Sequence, residues 1–335
     1  MAGILDHMDA PAKILLIGKS GAGKTGSLAS LVAAGYNLRI IDTDKGIRPL
    51  QSLLTDSRYP YIKTITDKGI DLNQAVRYIS IDTSMKLQNT KKRIGDNKFS
   101  VETLLAPNDA RAWGTMLDAL DNWREGDVSL GSVRTWTAND ILVFDSFSTL
   151  AKCAYYFSQS LNGRLGARDN GFDYQRDIGE AQSQLTRLLE LLYDSGVPCN
   201  VIVISHITWV DDSRGIANRP DGTNALSAPD GYPSAIGRAL SPQMGKYFND
   251  VYIVSSSGTG ASVKRAISTV STDGVIAKNS VYLERSYDIT DGLAKIFAAL
   301  RRTEPKPHTA NGGAATTAPP LPSPDPRPAP VGLVR

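Results

Sequence analysis

The chain alternates short, wholly apolar runs with longer stretches of helical spacing. KILLI (13–17), NLRIID (37–42), RYISID (77–82), DILVFD (140–145) and NVIVIS (200–205) predict buried strands. Between them, Lys24 to Ala34 predicts a helix closed by Gly35, and Asp109 to Trp123 has helical spacing. In the segment 181–196, Leu185, Leu188, Leu189 and Leu192 fall on one helical face before Gly196. Near-continuous apolar strands separated by helices predict an α/β fold, a parallel sheet covered on both faces. After Tyr247 the pattern changes. DVYIV, SVKRAISTV and GVIAKNSVYLE predict successive strands, an antiparallel extension of the same sheet, followed by a last helix over Asp291 to Arg301. The polar segments 83–108 and 209–243 carry no clear period and predict long functional loops. From Thr303 onward the chain holds half of its 18 prolines and almost nothing able to form a core. A folded unit over 1–302 and a disordered Pro/Ala-rich tail over 303–335 are expected.

Composition narrows this little. Of 335 residues, 41% are hydrophobic and 21% charged, with a net charge of +3. That balance suits a globular protein and leaves room for a nucleic-acid partner held by a local basic groove. Cys153 and Cys199 lack metal-ligand spacing, which argues against a disulfide framework. The opening residues have no basic start followed by an apolar stretch, and no apolar run approaches the roughly 18 residues of a membrane span. A cytoplasmic protein without membrane contact is expected.

The chemistry lies in GKSGAGKT, residues 18–25, between the first strand and the first helix. The spacing Gly18, Gly23, Lys24, Thr25 is that of a phosphate loop, whose glycines let backbone N–H groups curl around an anion beside a helix N-terminus. Residues Gly18, Lys19, Ser20, Gly21, Ala22, Gly23, Lys24, Thr25 and Gly26 are therefore expected to hold ATP. Lys24 would reach the β- and γ-phosphates, and Thr25 would ligate Mg²⁺. The metal also needs a carboxylate, and Asp145, closing a strand expected beside the first, fits. Asp42 and Asp44 close the second strand, and Asp44 is the expected water-activating group. The fifth strand runs into Ser205 and His206, which places His206 to sense the γ-phosphate.

With these residues placed, their order resembles the RecA-like recombinase core. IIDTD, ILVFDS, VIVISH and the pair Lys278–Asn279 in IAKN stand where that family has its acidic residue, Walker B strand, sensor strand and late lysine. The resemblance covers residues 12–285 and is similar to phage-encoded RecA-like ATPases that act in single-strand annealing. It implies that Lys278 completes the catalytic set by reaching the nucleotide of a neighbouring subunit, within a homo-oligomer that holds nucleotide at its interface. It also implies two loops facing single-stranded DNA. One carries Arg164, Arg168, Phe172, Tyr174 and Arg176; the other, from Trp209 to Gln243, carries Arg214, Arg219, Tyr232 and Arg238. Lys264 and Arg265 are further candidates for a neighbour's γ-phosphate. Because the phosphate-loop strand starts near residue 13, a counterpart of the family's N-terminal oligomerisation domain is not expected.

Other phosphate-loop classes remain open at this point. A partition or positioning ATPase would use Lys19, although Ser20 replaces a glycine of that pattern. A small-molecule kinase would need a lid, for which Lys91, Lys92 and Arg93 are candidates. A guanine-reading Asn-Lys-x-Asp motif is absent from the sequence. A module that holds ATP without turnover is the remaining reading.

Overall fold

A computed structural model of the chain describes residues 10–95, 98–107, 110–165, 171–210, 230–237, 239–272 and 274–301. The tail 303–335 and Arg168, Arg214, Arg219 and Arg238 lie outside them.

Alternation along the first strand, β1 (Lys13–Gly18), sets the architecture. Leu15 and Ile17 enter one apolar layer, and Ile14 and Leu16 the other, all nearly devoid of solvent contact. A strand buried on both faces needs cover on both. The helices that follow β1 are α1 (Lys24–Ser27) and α2 (Ala29–Ala34). The sequence predicts one helix here; two short ones form, meeting at Leu28, and Gly35 ends the second in the left-handed conformation at φ 105°. Next come β2 (Asn37–Asp42), α3 (Arg48–Thr55), α4 (Tyr61–Asp67), α5 (Leu72–Ala75) and β3 (Val76–Ser80).

The segment 83–108 is not an irregular loop. It forms an antiparallel ribbon of β4 (Met85–Gly95) and β5 (Lys98–Pro107). There follow α6 (Ala112–Asp121), the hairpin β6 (Trp123–Glu125) and β7 (Val128–Gly131), then β8 (Asp140–Asp145) and α7 (Phe147–Leu161). The helix predicted over 181–196 starts earlier, as α8 (Gly171–Tyr193), and leads to β9 (Asn200–Ser205). A second hairpin joins β10 (Ile207–Val210) to β11 (Asp230–Pro233), within the stretch expected to be a loop. The chain ends in β12 (Asp250–Ser257), β13 (Lys264–Ser268), β14 (Ser286–Asp288) and α9 (Gly292–Leu300).

The central sheet has the order β14-β13-β12-β1-β9-β8-β2-β3 among the described residues. Pairing is parallel from β12 to β3 and antiparallel through β13 and β14. The expected mostly parallel sheet with an antiparallel end is therefore present. GVIAKNSVYLE, however, is not its third added strand. Within it Val275 and Lys278 make only isolated bridges, and the strand that pairs with β13 lies further on, at Ser286–Asp288. One face of the sheet packs on α6, α7 and α8 through residues such as Trp113, Phe147 and Leu185. The other packs on α2, α3, α4 and α9 through Leu31, Leu50, Ile65 and Phe297. Both cysteines are buried and unpaired, and burial pushes each thiol up to about 11.

Candidate functional site

The carboxyl end of the central sheet is where β1, β2, β8 and β9 deliver their last residues side by side. The loop after β1 turns sharply because two glycines adopt positive φ, Gly21 at 76° and Gly23 at 101°. Gly18 is required for a different reason: a Cβ there would stand 2.3 Å from the Val254 carbonyl oxygen of the neighbouring strand. Lys24 is buried and folds back over this turn. Its Nζ donates to the carbonyls of Gly18 at 2.8 Å and Lys19 at 2.9 Å. Burial lowers its pKa, while Asp145 and Asp44 act in the opposite direction. The Lys19 side chain is exposed and takes no part in the cleft wall.

β8 is not the neighbour of β1. β9 lies between them, contrary to the expectation that the two strands would be adjacent. The helix carrying Thr25 nevertheless spans that gap, and Thr25 Oγ1 donates to Asp145 Oδ2 at 2.5 Å. Burial pushes the Asp145 carboxyl up to about 6, with Asp44 and Asp42 adding to the rise. An adjacent hydroxyl and carboxylate are hard oxygen donors of the type that suits Mg²⁺, which takes one or two protein oxygens and fills the rest of its shell from phosphate and water. A site of that kind needs no larger ligand set, and no cluster of three or more His, Cys, Asp or Glu able to hold a metal occurs among the described residues.

Asp42 and Asp44 do not face the same way. Asp42 is buried, and its Oδ1 accepts from the Gly46 N–H at 3.1 Å, closing the turn after β2. Burial is the main cause of its raised pKa. Asp44 instead lines the cleft, with its Oδ2 3.5 Å from Nε2 of His206. The structure thus brings together the two residues that the sequence places on separate strands. His206 is anchored from behind, where its backbone N–H donates to Ser148 Oγ on α7 at 2.9 Å.

The cleft encloses about 890 Å³, room for a nucleotide-sized ligand. Beyond the phosphate loop its walls come from Pro49 and Leu53 on α3, Tyr59 and Pro60 ahead of α4, and Ile289 and Thr290 after β14. Tyr61 fixes that far wall by donating to the Thr290 carbonyl at 2.6 Å, and burial pushes its hydroxyl up to about 12. None of these wall residues was legible as a site. The run Tyr59-Pro60-Tyr61, two aromatics across a proline beside a polar turn, was the one local signal. Arg265 also lines this chain's own cleft. Lys278 does not. Its Nζ donates to the Phe248 carbonyl at 2.7 Å, and its backbone pairs with Val251 near the opposite end of β12.

Of the arginines expected on the loop after α7, Arg164 is tied to buried Asp177, with Nε to Oδ2 at 3.1 Å. Tyr174 is 43% exposed, and Trp209 on β10 is 41% exposed. No helix among the described residues is long and apolar enough to cross a membrane.

Residues 10–281 match the family described as AAA domain. No curated protein matches the sequence. Among solved structures, the chain is similar to a KaiC-like protein from Pyrococcus horikoshii OT3, with 10% identity, 83% of this chain and 85% of that one covered, and a TM-score of 0.32. It is also similar to the flagellar accessory protein FlaH from Methanocaldococcus jannaschii, with 11% identity, 83% and 84% covered, and a TM-score of 0.33. The fold assignment rests on the chain's own strand order and phosphate loop.

Proposed function

This chain belongs to the AAA domain family, and on that premise we propose that it is a Mg²⁺-dependent ATPase that works on single-stranded DNA. The observation that carries the ATPase reading is the meeting of Thr25, Asp145, Asp44 and His206 around one cleft over the phosphate loop. The loop amides and Lys24 bind the phosphates, and Lys24 exchanges its two carbonyl partners for phosphate oxygens. Thr25 and Asp145 would hold Mg²⁺, which would supply charge neutralisation. Asp44 orients the attacking water and accepts its proton, while His206 holds the Asp44 carboxylate in place. Lys278 of one subunit reaches the nucleotide of the next in a homo-oligomer.

The DNA reading is supported by continuity of the chain. His206 lies between Asp44 in the cleft and the hairpin that presents Trp209 to solvent. The His206 carbonyl accepts from Ser234 N–H at 2.7 Å, so both arms of that hairpin are fastened to the residue facing Asp44. An exposed indole gives an unpaired base a stacking surface. The test is ATP hydrolysis with and without single-stranded DNA, together with DNA retention at rising salt. Stimulated turnover and salt-sensitive retention are expected. Unchanged turnover with no retention removes DNA and leaves the ATPase standing.

A further inference from the structure

Arg265 stands apart from the other charged residues of the cleft. It belongs to β13, where it pairs with Ser256, and its carbonyl accepts from Ile289 N–H at 3.2 Å. From there its side chain lies across the phosphate loop. A methyl group built on Gly23 would sit 2.8 Å from Arg265 Cδ, 3.5 Å from its Nε and 3.3 Å from Ile289 Cδ1. Gly23 therefore has no side chain where the arginine stem passes. Among the described residues the guanidinium has no carboxylate within ion-pair distance. The carboxylates of this cleft, Asp44 and Asp145, follow β2 and close β8, with β12, β1 and β9 intervening between β13 and those strands. Lys24, which also lines the cleft, donates to two carbonyls here, whereas the Arg265 guanidinium has no such carboxylate partner to give up.

A guanidinium can grip two phosphate oxygens at once, and charge-assisted bonds of this kind are about twice as strong as neutral ones. We propose that Arg265 acts within its own chain as a binding residue for the diphosphate portion of the nucleotide, on the side away from Asp44 and Asp145. This departs from the expectation that Arg265 reaches a neighbour's γ-phosphate, and it rests on the nucleotide reading above. Because Arg265 lies off the side where Asp44 faces the attacking water, its grip is the same in the bound substrate and at the transition state. Its loss falls on KM more than on kcat.

The experiment is calorimetric titration of ADP with Mg²⁺ into the full chain, for wild type, Arg265→Gln and Arg265→Lys, with melting curves to confirm folding. Arg265→Gln keeps most of the stem that packs on Gly23 and removes the charge. It is expected to weaken ADP roughly 10- to 100-fold, the scale of one charge-assisted bond, and Arg265→Lys to recover part of the loss. In steady-state assays KM for ATP rises by a similar factor. Normal wild-type binding with unchanged affinity in Arg265→Gln overturns this inference alone. So does a kcat loss at unchanged ADP affinity, which is the signature of a residue acting on a neighbour. Wild-type protein that takes up no ADP overturns the nucleotide reading itself.

Discussion

Lys13 shows how one buried cation at the start of β1 imposes a pH dependence far from the cleft. Its Nζ donates to the carbonyls of Val197 and Cys199, and burial pulls its pKa down from 10.5 to about 8. A depressed lysine pKa means that the folded state releases the proton first. The unfolded chain then binds more protons between about 8 and 10.5, and stability rises with pH across that window. Relative to a Lys13→Met variant, wild type should gain about 3 kcal/mol between pH 7 and pH 10.5. Urea unfolding at the two pH values checks it, and parallel pH profiles for the two proteins would contradict it. At the cleft, Asp44→Asn should lower kcat about 100-fold or more while ADP affinity holds, because a water-orienting group acts in the transition state. Lys24→Ala should instead abolish nucleotide uptake, read by the same titration.

The elements differ in how openly the sequence announces them. β8 and β9 appear with the predicted boundaries because each is an unbroken apolar run ending in a polar residue. The ribbon of β4 and β5 was illegible because its described apolar residues Met85, Leu87, Val101 and Leu105 are exposed instead of packed in the core. Leu87 and Leu105 pair across it and are 73% and 69% exposed. Substituting that pair, as Leu87→Lys with Leu105→Glu, should move the core's unfolding midpoint by no more than about 0.5 kcal/mol equivalent, by calorimetry. The turn at Gly35 behaves oppositely. A methyl group there meets no atom within 4 Å, so any cost comes from the left-handed backbone alone. Gly35→Ala should destabilise by about 1 to 2 kcal/mol in denaturant titration, leaving ADP affinity intact. GVIAKNSVYLE misled for a related reason. Its alternation is real, but its residues meet β12 and β11 at single bridges instead of running along β13.

Across the whole molecule, composition and run order sufficed for the layered α/β architecture, and the glycine spacing placed a turn between β1 and α1. Strand order did not follow from them. No local feature of ILVFD tells that β9 will separate it from KILLI, since order depends on how α7 and α8 cross the sheet. The far wall of the cleft was hidden for the same reason: Tyr61 and Thr290 are 229 positions apart and meet only after β14 is in place. Assembly is the property most distant from any single residue. If Lys278 serves a neighbouring subunit, turnover per chain should rise with protein concentration. Mixing Lys278→Ala with Lys24→Ala should then restore activity that neither shows alone, since the mixture pairs an intact phosphate loop with an intact lysine. No recovery at any mixing ratio would exclude the shared site.

The interposed position of β9 restricts how a change in the cleft can travel. Its backbone is laced to β1 from Val201 to Ser205 on one flank and to β8 from Asn200 to Ile204 on the other. A rail bolted along both edges cannot slide without breaking two ladders together. If His206 passes a change in the cleft on to the Trp209 hairpin, as the proposed function requires, the signal has to run through its imidazole and the peptide behind it, with the sheet standing still.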